Sequence, residues 1–204
     1  MNKKLIICAS ISIFLLTGCV GRRVNYDDKP VKKIENNLQN NLEKPIEKYG
    51  SIIYQGYKSF ILKVNPKLDH DIAINIANVI KFYAGEYSLD PKLVLALMSR
   101  ESSFRANAVS SSGAIGLGQL LSSTAKDMGV TDPYNPEENI KATSKYLALL
   151  IKKWNGNVTL ALASYKIGHG NVTKILKAGK DLPQSTRKYI NDIMLAQSKI
   201  SDNI

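Results

Sequence analysis

Asp90-Pro91-Lys92-Leu93-Val94-Leu95-Ala96-Leu97-Met98-Ser99-Arg100-Glu101-Ser102 carries a start signal, an apolar body and a chemically unusual end. Asp90 offers a side-chain acceptor to the open amides of a first helical turn, and Pro91 has the fixed φ that suits the first helical position. The run from Leu93 to Met98 is long enough and apolar enough to be a buried helix. Glu101 then falls in the last turn, where the helix dipole is negative and a carboxylate is disfavoured. Facing an apolar cleft, the same carboxyl would be desolvated as well, and its pKa would rise further. A carboxyl still protonated near neutral pH is what a general acid requires.

Working outward, every persistent periodicity from Asp69 onward is helical. Ile72, Ile76, Val79, Ile80 and Tyr83 form one stripe before this helix, and Leu93, Leu97 and Arg100 belong to it. Ser122 and Ser123 are expected to cap a short helix that stops at Gly129. Asn135-Pro136 opens a long helix to Trp154, burying Ile140, Thr143, Leu147, Leu150 and Trp154. Asn157 caps the next, running through Tyr165; Asn171 begins another that ends at Gly179; Ser185 is expected to cap the last, with Tyr189, Ile193 and Ala196 inward. No run alternates as a strand would. The expected fold is all-α, one globular domain over residues 66–204, an ordinary size for a single core.

The wording around Glu101 carries a resemblance. Glu101-Ser102-Ser103-Phe104 is followed by Gly113-Ala114-Ile115-Gly116-Leu117-Gly118-Gln119-Leu120 with Thr124-Ala125. Ala161-Leu162-Ala163-Ser164-Tyr165 then precedes Gly168-His169-Gly170. In order and spacing these blocks resemble the soluble lytic transglycosylases, peptidoglycan-cleaving enzymes with a lysozyme-like domain, over the chain from Ile72 to the C-terminus. Four matched blocks in sequence are far more specific than any one glycine motif.

The resemblance implies a single catalytic carboxylate. Glycoside cleavage ordinarily uses two, about 5 to 9.5 Å apart, yet the acid after Glu101 is Asp127. Family members cut between N-acetylmuramic acid and N-acetylglucosamine without water, using the sugar's own 6-hydroxyl. Glu101 would be acid first and base second, leaving a 1,6-anhydro ring. Ser110 matches the family serine that contacts sugar, Gln119 the glutamine of Gly-Leu-Met-Gln, and Tyr165 the tyrosine of Ala-Ala-Tyr-Asn, whose hydroxyl lies near the acid. Neither a metal nor a cofactor is implied. The chain departs from the pattern at Gly118 (methionine in the family), Ser122 (proline) and Lys166 (asparagine). Ser185-Thr186-Arg187-Lys188-Tyr189 stands for Glu-Thr-Arg-x-Tyr, so Ser185 replaces a carboxylate that lines the cleft in relatives.

The first residues speak to compartment. Met1-Asn2-Lys3-Lys4 is a basic leader, Leu5 to Leu16 an apolar run too short to span a bilayer, and Leu16-Thr17-Gly18-Cys19 looks like a bacterial lipoprotein signal. That class implies cleavage after residue 18, with Cys19 carrying lipid on the periplasmic face of a membrane. Val20, rather than an aspartate, points to the outer membrane. Cys8 leaves with the signal, so Cys19 has no partner and a disulfide framework is excluded. Residues 19–65 form a polar tether with a packing arm. A flexible coil of its first 30 residues would span about 30 Å. Ile34, Leu38 and Leu42 recur at helical spacing within it, and Ser51 to Val64 is apolar enough to pack on the domain as a helix or an extended arm.

The chain of 204 residues has 28 bases and 17 acids, a net charge of +11. Losing Lys3 and Lys4 leaves 26 bases against 17 acids, or +9. Such a surface suits an anionic partner. An exported, anchored protein meets murein strands and lipid headgroups rather than nucleic acid, and a client envelope machine is left open. Two other functions share these features: a hydrolytic muramidase that hands Glu101 a water, and a peptidoglycan-binding lipoprotein without catalysis.

Overall fold

The helix begun at Asp90 is central because it has no polar side to turn outward. In the computed structural model, which describes residues 55–201, it runs Pro91–Ser102 (α3), and Leu93 through Met98 are all buried. Three helices enclose it. Gln55–Val64 (α1) and His70–Glu86 (α2) precede it, and the last helix, Gln184–Ser198 (α8), lies against it. Between them come Ser122–Met128 (α4), Pro136–Lys153 (α5), Val158–Ile167 (α6) and His169–Lys177 (α7). α5 joins α2 to α6 and supports α4, while α6 also touches α8. The described residues contain no strand, only isolated bridges pairing Ile115 with Val109 and Leu120. The all-α expectation therefore holds for residues 55–201.

Several helix starts follow the sequence logic. Asp69 accepts from the amides of Asp71 at 2.8 Å and Ile72 at 3.2 Å, Asp90 from Lys92 at 2.9 Å, Asn135 from Glu138 at 3.1 Å and Asn157 from Leu160 at 3.0 Å. Each satisfies an amide that the helix itself cannot. The stripe Ile140, Thr143, Leu147 and Leu150 of α5 is buried.

Three expected caps are not where the sequence placed them. Ser185 lies inside the first turn of α8, whose N-cap is Pro183 and has no side-chain cap bond. The Pro183 carbonyl accepts from both Thr186 and Arg187, so the fixed proline φ starts the turn two residues early. Ser122 is likewise the first residue of α4, with Leu121 as N-cap. α7 begins at His169 because Gly168, at φ 82°, turns the chain sharply off α6. Asn171 instead donates its amide to the Ile167 carbonyl at 2.7 Å, closing the end of α6.

The packing arm is a helix. α1 buries Tyr57 and Ile61 in the same core as α3, and Gly56 passes so close to the Ser201 carbonyl that a Cβ there would collide with it. The signal at 1–18, Cys19, the tether with Ile34, Leu38 and Leu42, and residues 51–54 lie outside the described residues. No helix among the described residues is long and apolar enough to cross a membrane.

Candidate active site

Glu101 sits in the last turn of α3, and the chain leaves that helix abruptly. Ser103 and Phe104 both adopt left-handed φ angles, 51° and 57°, which cost a non-glycine residue of order 1 kcal/mol or more each. Packing holds them there. Phe104 is fully buried, edge-on to Phe60 of α1 with ring centroids 6.1 Å apart, and Arg105 Nε donates to the Ser102 carbonyl at 3.0 Å. The turn leaves Glu101 half-buried at the helix end.

The carboxyl has one defined partner. Tyr189 of α8, 1% exposed, donates its hydroxyl to Glu101 Oε1. Burial raises the Glu101 pKa above the ordinary carboxyl value, opposed by the Tyr189 hydrogen bond and by the charges of Lys166 and Arg100. Desolvation dominates, so Glu101 holds its proton to higher pH than a solvated glutamate. Tyr189 itself is pushed well above the usual phenol range by burial and by the charge of Glu101, and stays neutral.

Cations flank this pair. Lys166 Nζ stands 5.3 Å from the centroid of the Tyr189 ring, and the Arg100 guanidinium 5.5 Å from it. Arg100 Nε pairs with Asp192 at 3.3 Å, and Lys188 Nζ reaches both oxygens of Asp192 at 3.0 and 2.9 Å. Those contacts, led by Lys188, hold the Asp192 carboxyl below its ordinary value.

The glycine-rich segment after α3 is pinned from α5 and α6. Asn139, 1% exposed, accepts from the Gly118 amide at 2.8 Å and donates to the carbonyls of Ile115 and Pro133 at 3.1 and 2.9 Å. Tyr165 donates its hydroxyl to the Gly118 carbonyl at 2.7 Å. A Cβ on Gly118 would fall on Thr143 Oγ1, so a side chain at this position would require Thr143 or the loop to shift. Lys166, Ser122 and Ser185, the other departures, are all exposed.

Of the residues singled out in the sequence, Glu101 and Tyr165 are coupled electrostatically. Burial raises the Tyr165 pKa well above the usual value, and the charge of Glu101 adds to it. Its hydroxyl nevertheless bonds to the loop backbone rather than to Glu101. Gln119, itself at φ 51°, donates its amide to the carbonyls of Ala108 at 3.1 Å and Gly116 at 3.0 Å. Ser110 accepts from the Ala114 amide at 3.0 Å and meets the Ser112 hydroxyl at 3.0 Å. Both shape the loop from within, and neither is hydrogen-bonded to Glu101. Tyr189 is the residue that sequence reasoning assigned to the core without a role. Its signal was present in Thr186-Arg187-Lys188-Tyr189, but periodicity reports only that a side chain points inward, not that its hydroxyl meets a carboxyl.

The Transglycosylase SLT domain family matches residues 78–188, more than half of the chain. A half-buried, tyrosine-bound glutamate at the end of a central helix thus stands inside a recognised domain, and the chain belongs to that family. It is 41% identical over 96 residues to membrane-bound lytic murein transglycosylase F of Pseudoalteromonas translucida, covering 44% of this chain and 20% of that one. It is 36% identical over 108 residues to a transglycosylase of Enterobacteria phage PRD1, covering 53% and 40%. The chain thus spans well under half the length of these relatives. Its fold is similar to that of the 70 kDa soluble lytic transglycosylase of Escherichia coli, with a TM-score of 0.58 at 19% identity over 83% of this chain and 34% of the other.

Proposed function

We propose that this protein is a peptidoglycan lytic transglycosylase in which Glu101 acts first as acid and then as base. The observation that carries the proposal is the half-buried Glu101 carboxyl, its pKa raised by desolvation and its Oε1 bound to the Tyr189 hydroxyl. With Tyr189 donating to Oε1, the acidic proton belongs on Oε2. That proton passes to the glycosidic oxygen as the bond from C1 of N-acetylmuramic acid to that oxygen breaks. Glu101, now a carboxylate, takes the proton of the C6 hydroxyl as that oxygen bonds to C1. The 1,6-anhydro ring closes, the acid is regenerated, and no water is consumed. Acid–base assistance of this kind is worth about 10² to 10⁴ in rate.

Ser110, Gln119 and Tyr165 are assigned to the wall that holds the glycan. Tyr165 and Gln119 act by fixing the 108–119 loop, since their donors are committed to its carbonyls. A hydrolase of the same fold would hand Glu101 a water in place of the C6 hydroxyl, and the products distinguish the two.

The names of the murein transglycosylase relatives support both the substrate and a membrane-associated periplasmic setting. Anchoring through lipidated Cys19, with the outer membrane as its site, is part of the same proposal. Cys19→Ala should appear in the soluble fraction, and its retention on membranes after a high-salt wash would exclude the anchor. Digestion of purified sacculi with wild type and Glu101→Gln tests the chemistry: release should fall by at least about 10²-fold in the variant.

A further inference from the structure

We propose that Lys166 is a positioning residue for the proton on Glu101, its ammonium over the Tyr189 ring being the uncompensated charge that stabilises the Glu101 carboxylate left by the first proton transfer. The inference deepens the function proposed above and rests on it. α6 sets Lys166 directly after Tyr165, with Nζ 5.3 Å from the Tyr189 ring whose hydroxyl binds Glu101. One ring therefore separates the ammonium from the carboxyl. Relatives place asparagine here, so the charge is a departure of this chain from the family pattern.

The groups facing Glu101 come from three helices. α8 supplies Tyr189, with Asp192 and Lys188 beyond it; α6 supplies Tyr165 and Lys166; α3 supplies Arg100. Both phenols stay neutral because burial lifts them well above their ordinary range. Arg100 and Lys188 share Asp192, which offsets much of their charge. Lys166 makes no ion pair among the described residues. In agreement with this, Lys166 opposes the raised Glu101 pKa more strongly than Arg100 does, although Arg100 adjoins Glu101 in sequence.

The chemistry gives the charge a purpose. Burial alone keeps the acid protonated at the outset, but it disfavours the carboxylate left when that proton is given up, while making the same carboxylate a stronger base for the C6 hydroxyl proton. A nearby cation stabilises that carboxylate and eases the first proton transfer, at some expense to the second. Because Lys166 is exposed, the effect should also respond to salt, unlike one inside the core.

The test is a carboxyl titration by ¹³C NMR of the full chain labelled in glutamate, with the Glu101 resonance assigned by its loss in Glu101→Gln. Lys166→Asn, with its helical content checked, should raise the Glu101 midpoint by about 0.3 to 1 pH unit. Lys166→Arg should keep it, and wild type in about 1 M salt should move toward Lys166→Asn. In murein turnover, the alkaline limb of kcat/KM should shift upward with the midpoint. A midpoint that Lys166→Asn leaves in place overturns the inference even if murein is cut. The titration needs no substrate, so a chain that cuts no murein overturns the proposed function while the midpoint still decides the role of Lys166.

Discussion

Tyr189 and Glu101 lie 88 residues apart in sequence and meet through one hydrogen bond, from the phenol to Oε1. It ties the last helix to the end of the central one and engages one of the two carboxyl oxygens. Tyr189→Phe keeps the ring and removes the donor. A hydrogen bond to a charged group is worth about 1.5 to 3 kcal/mol, so murein turnover should fall by about 10- to 100-fold. The fold should persist, as judged by circular dichroism. Unchanged turnover would show that the orientation of Glu101 does not depend on this bond.

The raised pKa of Glu101 makes a stability prediction with a definite sign. The folded protein holds this proton more tightly than the unfolded chain, so the contribution is fully present at low pH. It is lost as pH rises from the unfolded carboxyl value, about 4.3, through the folded one. Glu101→Gln, which cannot ionise, should melt with wild type at pH 3 and above it at pH 8. A scan of melting temperature against pH checks this, and parallel curves would contradict it.

Gly118 and Thr143 form a matched pair. A Cβ on Gly118 would overlap Thr143 Oγ1 and lie within 2.9 Å of its Cβ and Cγ2. Gly118→Ala should therefore cost about 1 to 3 kcal/mol through overpacking. Adding Thr143→Ala should return part of that loss, giving a coupling that a double-mutant cycle in urea can measure. Additive losses would mean that the loop moves aside on its own.

Ser185 reverses an expectation. As an N-cap it would have been weakened by a change to glutamate, but it lies in the first turn of α8, which has no acidic residue. Ser185→Glu recreates the Glu-Thr-Arg-x-Tyr pattern of the resemblance and places a negative charge at the positive end of the helix dipole. Its stability should equal or exceed that of wild type, by up to about 1 kcal/mol at low salt, and its melting temperature should rise accordingly. A clear drop would contradict the geometry of this helix start.

How much of this was legible in the sequence depended on how local each cause was. Asp90, Asn135 and Asn157 cap as expected because an N-cap needs only its own helix. Ser185 and Asn171 failed because the neighbouring Pro183 and Gly168 set the helix starts first. The all-α fold was readable from the stripes that bury Ile76, Leu97 and Leu147. The site was readable only in part. Glu101 announced itself by its position at a helix end, whereas Tyr189 and Lys166 gain their significance from the packing of α8 on α3 and of α6 on α8, and from that geometry alone. Gln119 and Ser110 were placed near the site by motif, yet their hydrogen bonds are spent within the loop.

The central claim is that Glu101 closes a ring on the sugar instead of activating water. Mass spectrometry of muropeptides released from purified sacculi reads this directly, because a 1,6-anhydro end is lighter by one water than a reducing end. Wild type should yield anhydro-muropeptides and Glu101→Gln essentially none. Reducing ends from wild type, or anhydro products persisting in Glu101→Gln, would contradict the account.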